Sequence, residues 1–389
     1  MKRTTGILAA AAITLASAGF AQNSNRPVAG KVSVTDSQRA EAAAFWTDDA
    51  LANATPMPLP TIDPMALPHT GNTSATTGGA RGVLPGGLPT FFPSKEEQPD
   101  LQPIPARQAE TSPATSVQPE GFGYVMPFTN HRMPSVNVYP YSAVGKLFFF
   151  IPAGASEPSG EYVCSASVAL NSHTLITARH CMYDYATGKW YSNFVFYPAY
   201  SNGGNPAYNG GWTIRKFATW VSNASSFDYD IGLMQVNDDR GYGCGGSSGG
   251  RPIGSYTGWF GSTWNGDYSQ RQWDIFGYPA AEPFGGAYQW DDEAATGVLD
   301  PFGTTNIIEV GNPQTGGTSG GPWVIGLSPG NLPVQSDGNN VLPASVNMVN
   351  SVNSFKWTIP NHANSINGPA FYTYNFLNLY NYFAGLSCP

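Results

Sequence analysis

The sequence predicts an all-β fold, a barrel or sandwich of short strands, and three observations predict it. Only 11% of the 389 residues are charged, whereas glycine (45), proline (33) and aromatic side chains (13%) are abundant. Long surface helices need more Lys and Glu than that; short strands joined by many turns do not. From about Val125 onward, some ten runs rich in β-branched and aromatic residues alternate with Gly, Asn, Pro and Ser. No convincing helix separates these runs, so an alternating β/α pattern is not indicated.

The chain starts with Met1-Lys-Arg, then an apolar run from Gly6 to Ala18 and small residues before Gln22. A basic start, an apolar stretch too short to span comfortably and a small-residue cut after Ala21 predict a secretory signal peptide over 1–21. No later run approaches the length of a membrane helix, so an exported, extracellular, soluble protein is expected. The net charge is −8 with a pI near 5.0, and no basic cluster follows the N-terminus. That argues against a nucleic-acid partner.

Residues 22–124 hold 14 of the 33 prolines, one of the ten tryptophans (Trp46) and no cysteine. Stretches such as Pro56-Met-Pro-Leu-Pro60 cannot pair as central strands and are expected to be extended or disordered. Only Ser37 to Ala52 suggests a short helix. The segment is read as a pro-segment or linker ahead of a domain spanning 125–389.

Strands are expected at Lys146–Ile151, Val163–Leu170, Thr174–Ala178, Phe194–Tyr197, Ile231–Val236, Trp273–Phe276, Ile307–Val310, Trp323–Ile325, Val346–Phe355 and Phe371–Tyr374. Phe376, Leu379, Tyr380 and Phe383 recur at helical intervals and predict one closing amphipathic helix. In an oxidising setting the four cysteines, Cys164, Cys181, Cys244 and Cys388, suggest two disulfides. Cys164–Cys181 closes a short loop and Cys244–Cys388 ties the C-terminus to the body; this arrangement is favoured, although sequence alone leaves three pairings open. Their spacing lacks the paired C-x-x-C form of a zinc site. No metal or cofactor is expected, and the acidic run Asp291-Asp-Glu293 is read as a solvated loop.

Three short stretches carry chemistry. Gly316-Gly-Thr-Ser-Gly-Gly-Pro322 places Ser319 among glycines, a sequence poor for a strand or helix interior. It suits a tight loop that pushes one hydroxyl outward and turns several N–H groups to one point, as an acyl-transfer nucleophile requires. His180 sits between the strand-like Leu175-Ile-Thr-Ala-Arg179 and Cys181, at a turn a disulfide would hold. The other four histidines lack such a frame and are read as ordinary surface or core residues. Asp230 opens the apolar run Ile231–Val236, where an acid is expensive unless it is hydrogen-bonded. A histidine Nδ1–H would satisfy it and hold the tautomer a general base needs. Asp228, on a polar Ser/Asn-rich stretch, is the lesser candidate.

Together these motifs resemble those of the chymotrypsin-like serine endopeptidases, in the order His…Asp…Ser. Thr177-Ala-Arg-His-Cys181, Asp230-Ile-Gly-Leu233 and Gly317-Thr-Ser-Gly-Gly-Pro322 match that family's patterns. The likeness is nearest to the bacterial glutamyl-endopeptidase-like (V8-like) branch, through Tyr139–Phe149, Cys164–Val168 and Asn193–Tyr200. It covers about 125–389.

The resemblance implies two six-stranded antiparallel barrels with a C-terminal helix. His180 and Asp230 would come from the first barrel and Ser319 from the second, with an oxyanion hole at the N–H groups of Gly317 and Ser319. The family's specificity pocket would be lined by Pro313, Gln314 and Thr315 and by the strand near Asn353, Ser354 and Lys356. Asn353 stands where the V8-like branch usually has a histidine, and Lys356 where a glycine is common. Pro313 at the pocket base, in place of an acid, argues against a preference for Arg or Lys, and an acidic P1 side chain remains the open alternative. Thr318 cannot form the ion pair with a freed N-terminus that Asp makes in many animal members, so removal of the pro-segment is expected to act sterically. Protein or peptide substrates and a monomeric chain are expected.

Two other readings stand beside this one. Gly317-x-Ser-x-Gly321 also fits an α/β-hydrolase elbow of an esterase, with Asp337 and His362 following in order; that fold requires a helix after the serine. A protease-like binding module, without activity, is the other.

Overall fold

The computed structural model describes residues 27–66, 79–91 and, apart from short breaks, 127–386. The expected signal peptide, residues 92–126, Asp337, Cys244 and Cys388 lie outside the described residues.

The N-terminal segment contributes β1 (Val28–Ser33), α1 (Asp36–Phe45), α2 (Asp48–Asn53), β2 (Thr55–Pro56), β3 (Thr61–Ile62) and β4 (Gly82–Leu84). The expected single helix is two. Thr35 caps the first with a capping box, and Thr47 caps the second by accepting from Ala50 N–H. Between them Trp46 leaves helical geometry and buries its indole against Phe148, at a ring separation of 5.4 Å. Residues 55–62 carry extended backbone, as expected, in β2 and β3, and the described parts of the segment are packed rather than disordered. Ala42, Trp46, Leu51 and Met57 are buried, and burying such side chains offsets the cost of ordering the chain.

After β5 (Phe128–Arg132), the first barrel is built from β6 (Val144–Ile151), β7 (Gly160–Val168) and β8 (Thr174–Thr177). A small hairpin, β9 (Tyr183–Asp184) and β10 (Lys189–Trp190), follows. The barrel is completed by β11 (Ser192–Pro198), β12 (Trp212–Ser222) and β13 (Gly232–Val236). Hydrogen bonding runs β12-β11-β6-β7-β8-β13 and returns to β12, a closed six-stranded antiparallel ring. Closure pairs each strand with two neighbours, although β12 meets β11 only at Trp212 and Thr213 and pairs β1 from Lys216 to Ser222. The ring interior is filled by side chains such as Leu147, Phe149, Phe196, Phe217 and Met234, which share one face of the sheet by register. The all-β expectation holds, and this barrel is the one the resemblance implies.

A short helix α3 (Ile253–Thr257) leads to the second half, which contains β14 (Gly261–Trp264), β15 (Trp273–Gly277), β16 (Trp290–Ala294), β17 (Gly297–Leu299), β18 (Ile307–Gly311), β19 (Pro322–Ile325), β20 (Met348–Val352), β21 (Lys356–Trp357) and β22 (Ser365–Pro369). With β4 and β5 they form a seven-stranded sheet, β4-β14-β20-β19-β15-β16-β5, and a three-stranded sheet, β17-β18-β22, around a core containing Trp273, Trp323, Ile308 and Ile366, while β21 pairs β3 apart from both. Two of the seven strands, β4 and β5, come from sequence ahead of the first barrel. Asp291 and Asp292, expected in a solvated loop, lie buried in β16, where Asp292 accepts from the Asn130 amide across the strand pair.

The stretch expected as a last strand, Phe371–Tyr374, instead enters a π-helical turn (Thr373–Leu377) that runs into α4 (Asn378–Ala384). Phe376, Leu379 and Phe383 face inward as the spacing predicts. Asn375 ties the turn down, because its carbonyl accepts from the Trp220 indole at 2.8 Å and its amide donates to the Asp228 carbonyl at 2.7 Å.

Candidate active site

His180 lies on a single 3-10 turn, Arg179–Cys181, immediately after β8. The Cys164–Cys181 disulfide, of sequence separation 17, fixes that turn to β7. Asp230 follows another 3-10 turn, Phe227–Tyr229, and precedes β13, which pairs with β8. The two loops therefore leave adjacent strands of one barrel. Asp230 is completely buried. Its Oδ1 accepts from the His180 backbone N–H at 2.9 Å, its Oδ2 lies 2.8 Å from His180 Nδ1, and the Ser354 hydroxyl donates to the same Oδ2. Burial pushes this carboxyl up, but the His180 charge and hydrogen bond, the Arg179 guanidinium and the Ser354 bond together hold it below the ordinary carboxylate value. Asp228 is engaged elsewhere, accepting from the Tyr374 hydroxyl at 3.2 Å.

Ser319 sits at the seam between the two halves. Its carbonyl accepts from Ser165 N–H of the first barrel at 2.8 Å, and Ser165 Oγ donates back to the Gly317 carbonyl at 2.9 Å. The flanking glycines have a steric cause. Gly317 and Gly320 take φ of +90° and +80°, and a Cβ on Gly320 would stand 2.0 Å from Thr177 Oγ1. The loop thus turns tightly while pressing against β8 itself. Ser319 Oγ and His180 Nε2 are both buried, and neither has a hydrogen-bond partner among the described residues. Buried polar atoms without partners are rare and call for an explanation.

The residues read as pocket-lining divide into two groups. Gln314 and Asn353 turn inward: the Gln314 amide donates to the Ile275 carbonyl and its Oε1 accepts from Thr318, while Asn353 accepts from the Trp323 indole and donates to the Phe276 and Thr318 carbonyls. They brace the serine loop. Thr315 accepts from Ala281 N–H at its rim. Lys356 Nζ reaches across to the carbonyls of Asn312 and Ala363, 3.3 Å from each. Burial lowers this amine to about 8, and Asp292 pulls the other way.

Three roles escaped the sequence reading. Ser354, read as pocket-lining, also donates its hydroxyl to Asp230. Ser165 stitches the two halves, and no sequence signal marks it. The third is Met57, whose carbonyl accepts from Gly317 N–H at 2.9 Å.

His362 pairs with Glu309 in the second half, and the residues after Ser319 form strand β19. The helix that an α/β-hydrolase elbow needs is therefore replaced by a strand.

No protein-family model matches the chain, and no curated protein matches its sequence. Solved structures do resemble it. One is a thermostable serine protease, AL20, from an extremophilic microorganism: 27% identity, covering 63% of this chain and 98% of that one, TM-score 0.48. Another is the protease Anisep from Arthrobacter nicotinovorans, at 30% identity, 66% and 100% coverage and TM-score 0.49. A Glu endopeptidase solved with MPD follows at 15% identity, 66% and 97% coverage and TM-score 0.45. All three of these proteins are described as proteases or endopeptidases.

Proposed function

We propose that the chain is an exported serine endopeptidase that hydrolyses peptide bonds through an acyl-enzyme. The observation that carries this reading is the buried Asp230 carboxylate, with both oxygens committed to His180 and with Nδ1 only 2.8 Å away. That bond assigns the proton to Nδ1 and leaves Nε2 as a base. In this reading Ser319 Oγ attacks the scissile carbonyl while His180 Nε2 takes its proton. Asp230 stabilises the imidazolium, and His180 then protonates the departing amine. The N–H groups of Gly317 and Ser319 hold the oxyanion; losing one such donor costs on the order of 10²–10³ in kcat. Water then attacks the acyl-enzyme by the same proton path and releases the acid.

The basic, then apolar, start of the chain supports export, and the proline-rich residues 22–124 are the pro-segment. In this reading the substrate pocket beside Ser319 would be bordered by Thr315, Ser354 and Lys356. Two N–H groups of Lys356 are taken by carbonyls, which leaves the third for a substrate carboxylate. An acidic P1 side chain is the class this chemistry favours.

The test is a serine-directed fluorophosphonate on the secreted protein, beside Ser319→Ala, with the labelled peptide identified by mass. A label on Ser319 together with casein hydrolysis is expected. Absence of label from every form of the protein, trimmed forms included, would overturn the assignment and leave the binding-module reading.

A further inference from the structure

Residues 55–62 cross the face of the candidate site from one half of the molecule to the other. Thr55 and Pro56 pair in parallel with Tyr162 and Val163 of β7, and Met57 N–H donates to the Val163 carbonyl at 2.9 Å. The Met57 carbonyl then accepts the Gly317 N–H at 2.9 Å. Further on, the Pro60 carbonyl accepts from Lys356 N–H and the Ile62 carbonyl from Thr358 N–H, each at 2.9 Å, with Thr61 and Ile62 in parallel register to Lys356 and Trp357. Met57 is buried, and Ile62 packs on the aromatic cluster of Phe355 and Trp357. A Cβ on Gly316 would stand only 3.0 Å from the Met57 carbonyl oxygen, so the loop before Ser319 is shaped to the strand lying over it.

We propose that residues 55–62 are a built-in inhibitor of this cleft, docked in the direction opposite to a substrate. The inference rests on the endopeptidase reading above. In that reading the acyl-side side chain of a substrate enters beside Thr315, Ser354 and Lys356. The acyl half therefore runs along Ser354–Lys356, and the leaving half continues toward Val163 and the disulfide. Residues 55–62 run from Val163 to Lys356, the other way.

The consequence is chemical. The Met57 carbonyl occupies the Gly317 donor, but the nitrogen bonded to it, Pro58 N, lies on the acyl side, away from where His180 delivers a proton to a departing amine. The Met57–Pro58 bond is held at the catalytic machinery in an order that cannot be cut. Prolines 56, 58 and 60 stiffen the strand, since each fixes φ and removes a donor, and little entropy remains to be lost on docking. The flanks act as clamps: β1, α1 and α2 sit on the first barrel, and β4 pairs with β14 of the second half.

Tethering sets the expected size of the effect. A short linker holds a segment at an effective concentration on the order of 1 mM, so a strand that binds in trans with a Kd of ~100 µM protects about tenfold when attached.

The experiment uses the full chain and the rate of fluorophosphonate labelling at Ser319. A variant carrying Pro56→Gly, Met57→Gly, Pro58→Gly, Leu59→Gly and Pro60→Gly should label about tenfold faster than the natural chain. A synthetic peptide of residues 53–64, added back, should slow that variant again and be recovered uncut. A natural chain that labels as fast as the variant would overturn the inhibition while leaving Ser319 as the nucleophile. Recovery of the peptide cleaved after Met57 would overturn the reversed direction, because the strand would then be a substrate. Failure of every form to label, including protein trimmed by a second protease, would instead strike the endopeptidase reading, and the inhibitor with it.

Discussion

Asp230→Asn puts the proposed chemistry at risk with the least change of shape. In the natural site Oδ1 and Oδ2 accept from the His180 backbone N–H and from Nδ1 at 2.9 and 2.8 Å. An amide has one acceptor where the carboxylate has two. With its NH₂ toward Nδ1 it must donate there, which forces the imidazole proton onto Nε2 and removes the base. With the NH₂ toward the His180 backbone, two donors face each other in a site with no access to water. Either orientation breaks one bond, and leaving a buried donor unmatched costs about 1–3 kcal/mol in stability. The catalytic loss is larger: a wrong tautomer lowers kcat by about 10⁴, equivalent to ~5 kcal/mol at about 1.4 kcal/mol per decade. The assay is steady-state hydrolysis of a peptide ester by trimmed protein, with Asp228→Asn as control. Asp228 serves the C-terminal turn, so its variant should melt earlier and turn over normally. An Asp230→Asn enzyme within tenfold of the natural rate, or an equal loss in Asp228→Asn, would refute the reasoning.

Replacing both Cys164 and Cys181 by Ser should lower unfolding stability by about 3 kcal/mol for this loop length, read by chemical denaturation; no change would mean that the bridge adds nothing. In β16 and β15, burial first and neighbouring carboxylates second push Asp291 up to about 9 and Asp274 to about 7, while burial pushes Asp292 to about 8. Groups whose folded value is raised add stability that is complete below the ordinary carboxylate range and is lost as pH rises through 7 to 9. The melting temperature should therefore fall across that window, and Asp291→Asn should flatten the fall. Asp230 works in the opposite sense: its stabilisation is present above the ordinary value and disappears as acid titrates it. Lys356 is charged below about 8, so any preference for an acidic P1 side chain in a peptide library should fade above that pH and vanish in Lys356→Ala.

What the sequence made legible was local. Gly and Pro punctuation marked most strands to within a residue or two, because a turn leaves its signature where it happens. Each of the three catalytic candidates lay in a short motif whose neighbours explain it: a disulfide beside His180, an apolar strand after Asp230, glycines around Ser319. The longest strand, β12, escaped because Arg215 and Lys216 interrupt its apolar pattern. Both are buried, and Lys216 reaches the Leu386 carbonyl at 2.7 Å, a partner 170 residues away that no local window shows. The buried acids of β16 failed as a reading for the same reason. For residues 55–62 the prolines indicate extended backbone, as found, but composition gives no sign of the strands with which that backbone pairs. Partners distant in sequence, such as Ser165 with Gly317 and Met57 with Val163, carry no signal along the chain.

On the proposed reading, removal of the N-terminal segment would strip β1 from β12. β12 bonds β11 only near its start, at Trp212 and Thr213, and along the rest of that flank, Lys216 to Ser222, it is β1 that completes the ladder. A protein that has shed residues 27–33 offers that run of backbone N–H and C=O groups to solvent, and bare strand edges recruit other chains. If residues 22–124 are removed as proposed, the candidate cleft and a sticky flank would open in one step. The Lys216 ammonium, close to Lys31 while β1 is bound, stays behind as the charge that discourages a second copy from taking its place.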